Sequence, residues 1–235
     1  MPFSLSCRLK SSTGFAKLTE SFTLIAVLCR YLVSAHRYAI NDIVIVVNKF
    51  DLPESESLLH ELRHYSSPPL SIAVVPACAT NQTSDSDGLR QLRDALKGKT
   101  SIFVGQSGVG KSSLINALIP SANIRTGELV RHASIGAHTT SNARLHHLPA
   151  EVEGVDAGSV IDCPGIREIG IWHLETEWIA AGFKDIAQFA DQCKFRNCQH
   201  SAAEAKFCAV QKAVKDGRVN PLRLQTYGKI LGVNV

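Results

Sequence analysis

Large aromatic and sulfur-bearing apolar residues are scarce in this 235-residue sequence, which has one methionine, two tryptophans and 6% aromatics. With 45% apolar and 20% charged residues, it still has an ordinary globular composition and enough length to bury a core. It has no internal repeat and no low-complexity tract, which excludes a solenoid. A bilayer span is missing too. The apolar stretch Phe22–Val33 is too short and is interrupted by Arg30. It reads better as an amphipathic helix packed on the body than as a signal-peptide core, since no clear small-residue cleavage site follows. Secretory features are absent and the seven cysteines are odd in number, so reduced thiols in a cytosol are expected, not a disulfide framework. The expectation is a cytoplasmic monomer with no membrane partner. Strong net charge is also lacking. The total is +4, but from Cys193 onward eight Lys/Arg face only Glu204 and Asp216, a net of +6 that leaves −2 for the rest. A basic C-terminal piece points to an anionic partner, with a merely solvated face as the alternative.

The local pattern alternates between strands and helices. Residues 1–20 show no clear period and are left as an unassigned remnant, and residues 21–35 look helical. Continuous apolar runs at Asp42–Val47, Ser71–Val75 and Ser101–Val104 predict buried parallel strands. Ala143–Leu148 and Ser159–Ile161 predict two more. Pro53 is expected to open a helix, with others near Leu89–Leu96 and Lys111–Leu118. From about Glu175 the pattern is helical. This is an α/β sheet domain with a helical appendage.

The strongest motif is Gly105-Gln106-Ser107-Gly108-Val109-Gly110-Lys111-Ser112, followed by Ser113, between a strand and a helix. This is a Walker A loop. Its glycines let backbone N–H groups close around phosphates, Lys111 reaches the β/γ oxygens, and the Ser112 hydroxyl ligates Mg²⁺. The second motif is Asn48-Lys49-Phe50-Asp51 at a strand end, where parallel α/β sheets bind ligands. An aspartate there accepts hydrogen bonds from guanine N1–H and the 2-amino group, which adenine lacks, so it selects GTP over ATP. The third is Asp162-Cys163-Pro164-Gly165, a D-x-x-G pattern. Its Asp bonds a Mg²⁺-bound water, and its Gly N–H meets the γ-phosphate. The fourth is Gly136-Ala137-His138-Thr139-Thr140. One of Thr139 and Thr140 would ligate Mg²⁺ in the triphosphate state only, making the loop a switch; which one stays open. Ile166 stands where Ras-like proteins put the water-orienting Gln, so His138 is a candidate for that role, with a plain loop histidine as the alternative.

The fifth motif is Cys193, Cys198, His200 and Cys208. Three thiolates and an imidazole make a complete tetrahedral Zn²⁺ shell, although the spacing is not the common C-x₂-C knuckle. A helical tail with little obvious core would gain from such a staple. Packed cysteines near a surface histidine are the plainer alternative.

Motif order narrows the family. Usual GTPases place the Walker loop first and N-K-x-D after it. Here N-K-F-D comes first and D-C-P-G last. This order, with G-Q-S-G-V-G-K-S-S-L-I-N-A-L at 105–118, H-T-T at 138–140, D-C-P-G-I-R-E at 162–168 and C-K-F-R-N-C-Q-H at 193–200, resembles the circularly permuted GTPases. Specifically, it resembles the ribosome small-subunit-dependent GTPase A family (RsgA, also called YjeQ or YloQ), over roughly residues 22–232. Cys78-Ala79-Thr80 sits where the family has its S-A-K-like guanine loop.

The resemblance implies a circularly permuted P-loop GTPase domain with a parallel-type sheet over residues 21–174, in the motif order G4-G5-G1-G2-G3. A small helical zinc-binding domain would follow over 175–235. It implies GTP/GDP as ligand, Mg²⁺ and one Zn²⁺ per chain, and action in late maturation of the small (30S) ribosomal subunit, through its rRNA, with hydrolysis stimulated by the subunit. The zinc ligands carry over onto Cys193, Cys198, His200 and Cys208, and the hydrolytic histidine onto His138.

Three departures stand out. Nothing before residue 20 is read as able to form the family's N-terminal OB-fold barrel. The gap before Cys208 is longer than usual, and Ala133–Ala137 has no arginines. The alternative function is therefore a GTP-binding module with lost or weak ribosome-stimulated turnover. An ATP-using P-loop enzyme is disfavoured by Asn48 and Asp51. Since only about 28 residues separate Gly165 from Cys193, γ-phosphate contacts are expected to set the pose of the tail on rRNA.

Overall fold

The computed structural model describes residues 3–7, 15–80, 87–106, 108–124, 143–150, 156–163, 170–171 and 173–235, with side chains from residue 24 onward. Its strands are β1 Phe3–Cys7, β2 Ile43–Asn48, β3 Ala73–Ala77, β4 Thr100–Val104, β5 Arg144–His147 and β6 Ser159–Asp162. Its helices are α1 Phe15–Arg37, α2 Ser55–Leu62, α3 Asp87–Leu96, α4 Lys111–Leu118, α5 Thr176–Gly182, α6 Lys184–Ala190, α7 Ala209–Lys215 and α8 Pro221–Leu231. The chain divides into two units. One comprises Met1–Leu9, Ile40–Arg63 and Ile72–Glu168; the other comprises Lys10–Ala39, His64–Ser71 and Ile169–Val235.

The first unit is the α/β domain. Its sheet runs in the order β3-β2-β1-β4-β6-β5, parallel except for β5, which pairs antiparallel with β6. Parallel strands share one C-terminal edge, so the residues just after β2, β3, β4 and β6 crowd together there. Ile45, Val46 and Val47 of β2 are fully buried, as a continuous β-branched run requires between two covered faces. Leu89, Leu92 and Leu96 of α3, and Leu114, Ile115 and Leu118 of α4, recur at helical spacing and share a core with Val46, Phe103 and Val160. Burying one such side chain contributes about 1.5–3 kcal/mol. Pro53, expected inside α2, lies in the turn before it.

Within the span left unassigned from the sequence, Phe3–Cys7 forms β1 and Phe15 begins α1. β1 lies between β2 and β4, with Phe3 opposite both Ile43 and Ile102. Its Phe-Ser-Leu-Ser-Cys alternation is a period-two signal of the kind a half-buried strand shows.

The second unit is helical. α1 begins earlier than expected and belongs here, not with the sheet, so the expected boundaries at 20/21 and 174/175 do not divide the chain as these units do. Between Leu24 and Ala35 only Ala26, Arg30 and Ser34 are more than marginally exposed, four residues apart. Ile25, Cys29 and Val33 pack with Ile179, Phe183, Ile186, Val210, Leu224 and Tyr227. The apolar Phe22–Val33 stretch is thus a core helix, and among the described residues no helix is long and apolar enough to cross a membrane. Gly182 permits close approach of α5 to α1: a Cβ there would lie 2.9 Å from the Val33 Cα.

A buried ion pair sits in this unit. Arg223 is fully buried on α8, and its Nε and Nη2 donate to the two carboxylate oxygens of Asp185 at 2.7 and 2.6 Å. Its Nη1 donates to the Tyr65 hydroxyl at 3.3 Å, and the guanidinium lies over the Tyr65 and Phe183 rings. Asn220 caps α8, its side-chain oxygen accepting from Leu222 N at 2.8 Å.

Candidate functional site

All described members of the nucleotide motifs lie in the first unit, at the C-terminal edge of its sheet. Gly105 follows β4, and Lys111 opens α4. Gly108 and Gly110 have φ of 84° and 90°, left-handed values that glycine adopts without steric cost. Gly110 has a second reason to be glycine. A Cβ there would fall 2.2 Å from Asn48 Nδ2.

That contact joins the two motifs. Asn48 ends β2 and is 2% exposed. Its Nδ2 donates to Val109 O at 2.9 Å and to Gly110 O at 3.3 Å. Its Oδ1 has no partner among the described residues. Lys49 is left-handed at φ 62°, and Ser55 Oγ donates to its carbonyl at 2.8 Å. The Lys49 stem reaches Gly110, its Cε lying 3.5 Å from where a Cβ would stand. Phe50 N donates to Ala77 O at 3.1 Å, tying this loop to the end of β3. Asp51 is exposed, and the Cys78 thiol just past β3 donates to its Oδ1 at 3.1 Å. Thr80 Oγ1 lies 3.1 Å from the same sulfur. Cys78 and Thr80 therefore join the site. Their signal was present in the Cys78-Ala79-Thr80 string, but not in the motif residues themselves.

On the phosphate side, Lys111 Nζ is ion-paired with Asp162 Oδ1, and both groups are largely withdrawn from solvent. The register that sets Phe103 opposite Asp162 brings the ends of β4 and β6 side by side. Lys111 and Asp162 can serve a polyphosphate and its cation, the ammonium meeting phosphate oxygens and the carboxylate facing the metal. Ser112 and Ser113 follow Lys111 in the first turn of α4, and Gln106 precedes the tight part of the loop, all half-buried. Burial pushes the Cys163 thiol up. Ser107, His138, Thr139, Thr140 and Gly165 lie outside the described residues.

The second unit carries the other cluster. Donor atoms of Cys193, Cys198, His200 and Cys208 all lie within 4.8 Å of one another. Cys193 Sγ is 3.8 Å from Cys208 Sγ and 3.6 Å from His200 Nδ1, which is 3.4 Å from Cys208 Sγ. A tetrahedron with zinc–sulfur bonds of about 2.3 Å has sulfur–sulfur edges of about 3.8 Å, so this donor set fits a zinc ion. Burial, reinforced by the neighbouring thiols, pushes the Cys198 thiol up to about 12 and raises Cys208, and burial lowers His200 against the opposing pull of Glu204. A bound cation supplies the charge that turns such thiols into thiolates.

Residues that sequence reasoning missed hold these ligands in place. Cys208 precedes α7, and its sulfur accepts from Gln211 N at 3.4 Å, while Gln211 Nε2 donates to His200 O at 2.7 Å. The Glu204 carboxylate accepts from Gln199 N, Ser201 N and Ser201 Oγ, closing a capping box around the left-handed His200. These hydrogen bonds, with the desolvation that opposes them, hold the Glu204 carboxyl below the usual range. The S-x-x-E spacing was the available signal.

Comparison with known proteins agrees with this geometry. Residues 17–172 match the sequence profile of the family described as RsgA GTPase. Proteins of Histophilus somni (strain 2336) and Alcanivorax borkumensis, both called small ribosomal subunit biogenesis GTPase RsgA, are 40% identical over 208 and 211 residues. Each alignment covers 87% of this chain and 55% of the relative. The chain thus spans about half the length of the curated relatives it matches. The crystal structure of YjeQ from Thermotoga maritima superimposes with a TM-score of 0.68 at 27% identity, covering 98% of this chain and 70% of that one.

Proposed function

The chain belongs to the RsgA GTPase family, and from that premise we propose that it binds GTP, hydrolyses it to GDP and phosphate, and acts in late maturation of the small ribosomal subunit. The observation that carries the reading is the latch between Asn48 and the carbonyls of Val109 and Gly110, which sets the base-selecting and phosphate-binding loops at one sheet edge. Asp51, held by the Cys78 thiol, accepts from guanine N1–H and the 2-amino group. Backbone N–H groups of the glycine-rich loop would face the phosphates, and Lys111 would stabilise the charge that develops on the γ-phosphoryl oxygens. Ser112, Asp162 and one of Thr139 and Thr140 would hold Mg²⁺, which when bound would supply charge that offsets the polyphosphate's own. His138 orients the attacking water, whose oxygen bonds the γ-phosphorus as the bond to the β–γ bridging oxygen breaks. The Gly165 N–H meets the γ-phosphate.

The Cys193, Cys198, His200 and Cys208 set holds one zinc ion as a structural staple. The site of action is the cytoplasm, with the subunit and its rRNA as partners. The basic stretch after Cys193 supports an anionic partner.

Turnover of GTP measured with and without purified small subunits tests the reading. Stimulation by the subunit is expected. GTP binding without stimulated turnover would reduce the chain to a nucleotide-binding module, and competition by ATP equal to that by GDP would refute guanine selection. Tighter subunit binding with a non-hydrolysable GTP analogue than with GDP is the signature expected of switch control through Gly165.

A further inference from the structure

Phe195 and Phe207 are 44% exposed although the unit that carries them has a well-filled core. Each adjoins a metal-site cysteine by two or fewer residues, Phe195 after Cys193 and Phe207 before Cys208. The cluster and the hydrogen bond from Lys194 N to Phe207 O at 3.2 Å draw the two turns together. The rings meet edge to face, with centroids 5.9 Å apart and planes at 81°. In such a pair neither ring uses both of its faces. Lys194 Nζ lies 5.8 Å from the Phe195 centroid and 4.6 Å from the Phe207 centroid, and Lys206 Nζ lies 5.7 Å from the latter. Lys194, Arg196 and Lys206 are exposed. The acidic residue of this segment, Glu204, has its carboxylate engaged by the turn's own N–H and hydroxyl groups.

Exposed phenyl rings with lysine ammonium groups lying over them suit a flat, apolar surface joined to an anionic backbone, which draws the cations to its phosphates as it takes their place on the rings. An unpaired nucleobase has that chemistry, whereas a base inside a duplex hides its faces. We propose that Phe195 and Phe207 form a stacking platform for an unpaired base of an RNA strand, with Lys194, Arg196 and Lys206 meeting the flanking phosphates. The inference rests on the small-subunit reading only for the source of that RNA. It assigns the cysteine cluster a second task, since the staple sets the platform's geometry.

The test uses the full chain, with zinc content checked for every variant. Binding is measured to a 12-nucleotide oligouridylate and to an abasic 12-mer carrying the same phosphates. The Phe195→Ala/Phe207→Ala variant should lose about tenfold or more in affinity for oligouridylate and keep its affinity for the abasic strand. The Phe195→Tyr/Phe207→Tyr variant, which keeps both rings, should bind like the parent, and Lys194→Ala/Lys206→Ala should weaken both strands and flatten the salt dependence. Unchanged oligouridylate binding by the alanine variant overturns the proposal. So does equal loss of both strands, or no oligouridylate binding by the parent chain. Loss of small-subunit binding with RNA binding intact would assign the face to a protein partner, which also overturns it. Subunit binding by the parent is recorded alongside. Its absence, with the oligonucleotide result as expected, refutes the proposed partner and leaves the platform standing.

Discussion

Asn48→Ala probes the joint between the two nucleotide-binding loops. The substitution removes one buried amide donor. Val109 O then loses a 2.9 Å hydrogen bond, and Gly110 O loses a weaker one at 3.3 Å while still accepting from Leu114 N at 2.9 Å. A buried carbonyl stripped of its donor costs about 1–3 kcal/mol, and the second, partly compensated carbonyl adds a fraction of that. About 2–3 kcal/mol of the docked loop's stability is therefore at stake, a ceiling of about 30- to 150-fold on nucleotide affinity. Asn48→Asp should be worse, because it turns a carboxylate toward two carbonyl oxygens. Titration with a fluorescent GDP derivative gives the affinity, and circular dichroism verifies the fold. Inorganic pyrophosphate supplies the decisive comparison. It touches no base-selecting group, so Asp51→Ala should leave its affinity unchanged, whereas Asn48→Ala should weaken it. GDP affinity within about threefold of the parent for Asn48→Ala, or pyrophosphate affinity unchanged by it, refutes the latch.

Asp51→Asn should weaken GDP and improve xanthosine diphosphate, whose 2-oxo group accepts from the new amide; competition titration shows whether the preference crosses over. Mass spectrometry of the native protein should find one zinc per chain, and chelation should lower the melting temperature of the helical unit while a Cys29→Ala variant keeps its metal. Asp185→Asn strands the fully buried Arg223 guanidinium and should cost about 3–5 kcal/mol in denaturant unfolding, against a smaller loss for the paired change Asp185→Leu/Arg223→Met. Gly182→Ala should destabilise by about 1–3 kcal/mol, since the Val33 backbone stands 2.9 Å from the added methyl group.

Much of the candidate nucleotide site could be located in the sequence because its motifs are contiguous. Residues 105–112 carry their own backbone requirements, and the left-handed Gly108 and Gly110 satisfy them within a few bonds of Lys111. The Cys/His set could be located for a similar reason, its four members falling within 16 residues. Strand β1 was not. A central parallel strand is expected as a continuous apolar run, and Phe3–Cys7 alternates with serine instead. Helix α1 was recognised as a helix but assigned to the wrong body, because its pattern says that it is buried and not against what.

By itself the sequence determined the α/β class, the candidate nucleotide motifs with their permuted order, and the Cys/His set that could hold a metal ion. Each is written in residues near one another along the chain or in the order of short strings. Tertiary structure alone decided which groups hold them. Asn48 meets Val109 across 61 positions, Cys78 meets Asp51 across 27, and Arg223 meets Asp185 across 38. It also brought Phe195 beside Phe207. Such pairings depend on strand order and helix packing, which bring together side chains that no local periodicity relates.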